Sequence, residues 1–377
     1  MTREVAVLGA GALGATVAFD LAFADEDADG ETVDVTLFEA GSVADGSTGR
    51  AAGVCYNAFA EDVDAELGAR AIERFRTFDE VGEFEFHESP YVWLAREGDD
   101  DREHAIRERL PRMQQHGVTA VRMEREEFAE RFPSVRSDDV AVAAVAGAAG
   151  YTTPASYART LAVLAKRQGA DLRQHTPASV DVDPLAVNGD AFDDVVVATG
   201  AHTKQVLADA GYSIAMKPYR VQAATYATEY DGPMVYDATD GFYLRPHADG
   251  LLVGNGTEER EADPDAYDRD ANDGFAESLQ ARASERTAAV EDARITDAWA
   301  GLCTATPDRD PLVGALDDGL YVGTGFQGHG FMRAPAIAES LAEQVLGEAD
   351  GIEPFDPTRF TGDEAFDVVE GMLVDDR

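Results

Sequence analysis

Lysine is nearly missing from this chain: among 377 residues only Lys166, Lys204 and Lys217 carry an ε-amino group. Positive charge of any kind is scarce, with 31 Lys and Arg against 73 Asp and Glu, a formal net charge of −42. Such a surface repels nucleic acid and anionic membrane, so neither is an expected partner. Cysteine is rarer still. Cys55 and Cys303 are too few for a disulfide scaffold, and no Cys/His spacing suggests a metal site. Long apolar runs are absent too; none approaches the roughly 20 residues of a membrane span. With no basic leader ahead of an apolar stretch, a cytoplasmic location is the expectation.

The acid is spread through 25–34, 99–103, 181–194 and 258–273 rather than gathered in a tail. Disorder does not fit this pattern, because periodic apolar segments run throughout. A basic partner would suit such a surface. A halophilic solvation layer, in a medium salty enough to screen self-repulsion, explains the even spread more simply.

What is present is a chain long enough for two cores. Val5-Ala6-Val7-Leu8 reads as a strand entering Gly9-Ala10-Gly11-Ala12-Leu13-Gly14, and Leu13, Val17 and Leu21 share one face of a following helix. Residues 33–38 read as a second strand, ending at Glu39. Helices are predicted over 66–81 and 101–115. Another starts at Thr153-Pro154, a cap followed by proline in the first turn, and stops at Gly169. Residues 195–198 read as a strand. The chain then changes character: 216–228, 234–237, 241–247 and 250–255 are strand-like and punctuated by Gly232, Gly241 and Gly250. An acidic helical stretch over 273–289, a strand at 320–323 and a helix over 334–346 follow. The pattern predicts an α/β chain. Segments 1–85, 140–215 and 300–377 would build a Rossmann-like nucleotide domain. It would be interleaved with an α+β domain on a mostly antiparallel sheet, from 86–139 and 216–299.

Gly9, Gly11 and Gly14 have the spacing that lets a backbone turn tightly, approach a pyrophosphate and pack helix on strand. With Ala10, Ala12 and Leu13 between them, they place a pyrophosphate at a helix N-terminus, where free N–H groups and the dipole favour negative charge. Phe38, Glu39 and Ala40 close the second strand. Glu39 is placed to accept from ribose hydroxyls and would repel a 2′-phosphate, which disfavours NADP. A ligand-free turn would use the same glycines, but the flanking strands and the acid favour a dinucleotide. This unit does not separate NAD from FAD.

Three further segments do: Asp45-Gly46-Ser47-Thr48-Gly49-Arg50-Ala51-Ala52-Gly53, the strand 195–198 with Thr199-Gly200, and Gly323 to Met332, with its run Gly325-Phe326-Gln327-Gly328-His329-Gly330-Phe331-Met332. Together with Pro218-Tyr219-Arg220-Val221-Gln222, Tyr243-Leu244-Arg245-Pro246, Trp299 to Asp308 and Pro311-Leu312-Val313-Gly314, they resemble the FAD-dependent D-amino-acid oxidase superfamily, on its sarcosine oxidase, dimethylglycine dehydrogenase and glycine oxidase branch. The resemblance spans nearly the whole chain. It implies a glutathione-reductase-type FAD domain. It places Ser47 and Thr48 near the pyrophosphate, Arg50, Ala51, Ala52 and Gly53 towards the isoalloxazine, and Ala178 at the adenine. It also implies that Ala198, Thr199 and Gly200 lie along pyrophosphate and ribitol, and that 325–332 closes over the ring, with the following helix aimed at it.

The departures from that family are informative. Where its covalent members carry a flavin-linking cysteine, this chain has Gly301, and Cys303 is two positions away, so non-covalent FAD is implied. The family's substrate-carboxylate positions read Cys303, Met332 and Tyr56, and its oxygen-activating lysine position reads Leu252. The remaining cations for a carboxylate are Arg245 and Arg333, with Arg220 and Arg50 behind them. His329, between glycines, is a candidate to hydrogen-bond the flavin or tune substrate protonation. Tyr243 is a weaker pocket candidate. His87, His104 and His175 read as surface residues. The implied activity is oxidation of the C–N bond of a small amine or amino acid by hydride transfer to FAD, with electrons passing to a carrier rather than to oxygen. The alternatives are a 2-hydroxy-acid or polyol-phosphate dehydrogenase on the same scaffold, or a non-catalytic flavin-binding subunit. A homo-oligomer or a heteromeric subunit fits either reading.

Overall fold

The computed structural model describes residues 2–24 and 27–369; residues 25 and 26 of the first acidic stretch, and 370–377 of the last expected domain segment, lie outside the described residues. Two large sheets organise the chain. The first has six strands in the order 312–317, 320–324, 194–197, 2–8, 32–38 and 171–173. All its pairings are parallel except that of Leu312–Asp317 with Leu320–Thr324. Thr2–Leu8 lies at its centre, with the chain's next strand, Thr32–Phe38, on one side and the later Asp194–Val197 on the other. That reversal makes a crevice at the carboxyl ends of the strands, where ligands of such sheets bind.

Sequence pattern explains why these strands are central. Val5, Ala6, Val7 and Leu8 are fully buried, as are Val195, Val196 and Val197, because helices cover both faces. Helix Ala12–Phe23 is buried along most of its length, wedged between Pro154–Gln168 and Gly330–Val345. The proline-led helix starts at Pro154 and ends at Gly169, whose φ of 121° only glycine adopts readily.

The second sheet has eight strands in the order 294–305, 217–227, 250–257, 242–247, 234–237, 91–96, 140–146 and 120–123. It is antiparallel throughout except where Met234–Asp237 runs alongside Tyr91–Arg96. The segment boundaries expected at 140 and 300 fall inside this sheet. Val140–Ala146 pairs with Tyr91–Arg96 and Ala120–Met123 rather than opening a return to the nucleotide domain. Arg294–Ala305 pairs with Lys217–Ala227 along its whole length. Tyr91–Arg96 escaped the sequence reading because it is apolar on both faces and shows no alternation. The acidic helix is shorter than its charge run, spanning Phe275–Ser284.

A small antiparallel sheet, 54–56, 149–151 and 87–88, lies where the chain passes between the two large ones. It carries the residues that follow the second glycine-rich segment into the cleft between the domains.

Candidate active site

The first glycine segment is closed by hard contacts. A Cβ on Gly14 would stand 1.9 Å from the Gly9 carbonyl oxygen, and one on Gly9, at φ 96°, would stand 2.6 Å from that of Ala198. Glu39 accepts from the Ala10 and Gly41 N–H groups, both at 2.8 Å, so its carboxylate is fixed at the strand end beside the turn. Phe38 and Ala178 share one apolar cluster there. Thr48 Oγ1 accepts from the Ala12 N–H at 2.9 Å, which ties the second glycine-rich segment to the N-terminus of helix Ala12–Phe23.

Two helix N-termini converge on the cleft, those of Ala12–Phe23 and Gly330–Val345. Neither has an acid in its first turn, whereas Asp62–Phe78 and Asp100–Gln115 both do. In so acidic a chain, that leaves the positive ends of these two dipoles available to an anionic ligand. Gly46 and Ser47 are exposed, and nothing stands within 4 Å of a Cβ on Gly46. These features fit a dinucleotide that starts at Gly9–Gly14 and runs along 46–53.

The path ends under the second sheet. Trp299 Nε1 donates to the Arg50 carbonyl at 2.9 Å, and Arg245 Nε donates to the Ala52 carbonyl. Gly53 accepts from Thr152 N–H at 3.0 Å. On the other side, the loop 325–329 turns through Gly325, Gln327 and Gly328, all at positive φ, and is pinned where Gln327 N–H donates to the Thr304 carbonyl at 2.8 Å. Not all of this run faces the cleft. Phe331 packs into the nucleotide-domain core, 5.3 Å from the Phe75 ring and 5.9 Å from Tyr157, and Met332 is buried in the same cluster.

The sheet opposite presents aromatics in register. Trp93 pairs with Tyr236, Tyr236 with Tyr243, and Tyr243 with Gly254. Gly254 is required there: a Cβ would stand 2.2 Å from the Tyr243 hydroxyl. Tyr91 stacks on Tyr56 with ring centroids 4.3 Å apart, and Trp93 stacks behind it at 5.9 Å. His329 Nε2 lies 3.1 Å from the Tyr56 hydroxyl, and its ring stands edge-on to Tyr56 and Phe59. Burial pushes the Tyr56 phenol up to about 12, so it keeps its proton at any ordinary pH. The Arg109 guanidinium also acts on it. Sequence reasoning noted Tyr56 only as a missing arginine, and missed Tyr91, Trp93 and Tyr236. The usable signal was the period-2 spacing of Tyr91 and Trp93, hidden by the apolar residues between them.

The charged candidates separate sharply. Arg333 is ion-paired with Asp64 and donates to the Phe326 carbonyl at 3.2 Å, bracing the 325–329 loop. Arg220 is ion-paired with Glu258 and bonded to Asn272 at 2.9 Å. Arg50 reaches the Ala300 carbonyl at 3.2 Å. Arg245 is buried and meets backbone carbonyls and the Tyr151 ring, 5.1 Å away. It pairs across the strands with Leu252. His87 and His104 are exposed beside Glu85 and Glu108, and His175 is exposed in a turn. Among the described residues no cluster of His, Cys, Asp and Glu is arranged to hold a metal.

Cradle, fixed acid, acid-free helix ends and an aromatic wall across a cleft define a dinucleotide-dependent oxidoreductase scaffold. A family model described as FAD dependent oxidoreductase (DAO) matches residues 4–344, and the chain belongs to that family. Its cofactor is FAD held without a covalent bond; Gly301, where a Cβ would stand 3.1 Å from the Arg50 Cβ, has no side chain to link it. The chain is 30% identical over 165 residues to a glycine oxidase of Pseudomonas aeruginosa, covering 43% of this chain and 44% of that one. It is 25% identical over 391 residues to 4-methylaminobutanoate oxidase (formaldehyde-forming) of Paenarthrobacter nicotinovorans, covering 94% and 45%. It thus spans less than half the length of these curated relatives. Among solved structures, L-proline dehydrogenase from P. horikoshii superposes with a TM-score of 0.84 at 27% identity, over 95% of this chain and 97% of that one. No helix among the described residues is long and apolar enough to cross a membrane.

Proposed function

We propose that this protein oxidises the C–N bond of a small amine or amino acid. Bound FAD would supply the hydride acceptor for the carbon beside nitrogen, and the iminium ion so formed would be hydrolysed by water. The observation that carries this reading is the neutral aromatic wall facing the nucleotide cradle. A neutral amine losing hydride needs no strong acid or base, only a C–H bond held in place in a site that excludes water. Tyr56, Tyr91, Trp93, Tyr236 and Tyr243 supply that apolar surface, and His329, hydrogen-bonded to Tyr56, supplies a polar contact at its edge. The similar proteins named above act, by their names, on glycine, L-proline and 4-methylaminobutanoate, each of which carries an amine.

Electrons pass on to a carrier rather than to oxygen. The likeness to a protein named a dehydrogenase supports this, as does Leu252, which offers no charge of its own. Such an enzyme works as a soluble homo-oligomer or as one subunit of a larger complex.

The test is anaerobic bleaching of the bound FAD by a panel of N-methyl amino acids, proline, D-amino acids and 2-hydroxy acids, in high salt. Bleaching by amines is expected. Bleaching by hydroxy acids alone would transfer the proposal to C–O oxidation, and bleaching by none would make the chain a non-catalytic flavin subunit. Reoxidation by air as fast as by an artificial acceptor would remove the carrier.

A further inference from the structure

Among the described residues the buried arginines are Arg220, Arg245, Arg286 and Arg333. Arg220 meets Glu258, Arg286 meets Asp237 and Asp139, and Arg333 meets Asp64. Arg245 meets no carboxylate among the described residues, in a chain with more than twice as many acids as bases. Its Nε and Nη1 donate to the carbonyls of Ala52 and Pro246, and Nη2 has no hydrogen-bond partner among the described residues. Tyr243, Tyr151 and Cys55 act on it electrostatically, and it adds to burial in disfavouring the charged form of half-buried His247. Burial holds the Tyr151 phenol and the Cys55 thiol above their ordinary values, so both are neutral. Burial pulls the guanidinium down to about 10, which still leaves it charged at neutral pH.

A buried cation with no carboxylate beside it is costly, which makes Arg245 suited to a partner that arrives from outside. The position of Arg245 says which partner. The segment 46–53 begins at the helix N-terminus that takes the pyrophosphate, through Thr48, and ends at the Ala52 carbonyl that Arg245 holds. A dinucleotide extended along that segment brings its ring end to Arg245. We propose that Arg245 is the cation that balances the charge FAD acquires on reduction. The electron balance requires such a charge: hydride adds two electrons and one proton to a neutral ring, which would become a monoanion, while the neutral amine that gives it up becomes an iminium cation that leaves on hydrolysis. Arg245 therefore favours the reduced over the oxidised cofactor, independently of which substrate supplies the hydride.

This assignment rests on FAD being the cofactor and not on the choice of amine, so it is tested without substrate. Sulfite adds to the oxidised ring and, like hydride, leaves it anionic. In the FAD-loaded protein, Arg245→Met should weaken sulfite binding by about tenfold or more, and should shift the FAD midpoint potential downward. Arg245→Lys should retain most of the affinity. Leu252 faces Arg245 across the strands, so the double variant Arg245→Met with Leu252→Lys should recover affinity by restoring the charge from the neighbouring strand. Unchanged sulfite affinity and potential in Arg245→Met, with FAD still bound, would overturn the proposal. So would a selective loss of affinity for carboxylate-bearing ligands, which would make Arg245 a substrate anchor. Failure of the amine panel alone would leave these readouts intact.

Discussion

Two arginines in the eight-stranded sheet's domain are buried for opposite reasons. Arg286 is fully shielded and sits among carboxylates, 3.0 Å from Asp237 and 2.9 Å from Asp139, with Arg96 joining Asp237 at 2.9 Å. It fastens the end of helix Phe275–Ser284 to the far side of the sheet. Arg245, on the side facing the cofactor cradle, is nearly as buried but touches only neutral groups. The difference separates a charge used for folding from one held for a ligand. Where a cation serves the fold, the acid-rich sequence supplies its partner; where it serves chemistry, the partner is withheld.

The comparison can be broken most forcefully at Arg286. Arg286→Met should cost about 3–5 kcal/mol, because it strips buried Asp237 of one of its cations. A denaturant midpoint unchanged from the wild type would refute the structural role. At Arg245 the balance differs. Arg245→Met leaves two carbonyls without a donor but removes an uncompensated charge, and these effects oppose each other. The FAD-free variant should therefore lie within about 1 kcal/mol of the wild type in denaturant unfolding, while sulfite affinity falls as described above. A variant as unstable as Arg286→Met would show that Arg245 is a structural residue.

A smaller effect is expected at the aromatic wall. Tyr56→Phe keeps the stack on Tyr91 but loses the hydrogen bond to His329, worth about 1 kcal/mol, so kcat/KM should fall by roughly fivefold with sulfite affinity unchanged. Because the phenol stays protonated up to about 12, no alkaline loss of activity below pH 10 should disappear in this variant. Smallest of all is Glu88→Gln. Its partner Arg76 is half-exposed, and the pair should contribute less than about 0.5 kcal/mol to the unfolding midpoint.

The cofactor half of the molecule was legible because its signals are local. Gly9, Gly11 and Gly14 sit in one short turn, where Gly14 packs on the Gly9 carbonyl, and Glu39 bonds the turn that its own strand adjoins; the contacts of Gly9 with Ala198 and of Gly11 with Thr48 come from farther along the chain. The second sheet was legible as strands, with Met234–Asp237 and Phe242–His247 close to their expected bounds, but not as a surface. Tyr91 and Trp93 come from a strand roughly 140 residues before Tyr236 and run parallel to its strand, a pairing no local pattern announces. The boundary at 140 was misplaced for the same reason: an apolar run closed by glycines is consistent with either sheet.

By itself the sequence determined the dinucleotide turn and the presence of candidate cations at Arg245 and Arg333. Only the tertiary structure decided between those cations. A residue's charge is written in the sequence, but its partner is set by what folding brings within a few ångströms. Asp64 lies 269 positions from Arg333 and neutralises it, while no acid reaches Arg245 among the described residues. Burial then turns that absence into a consequence, since an unpaired charge costs little in water and much where water is excluded.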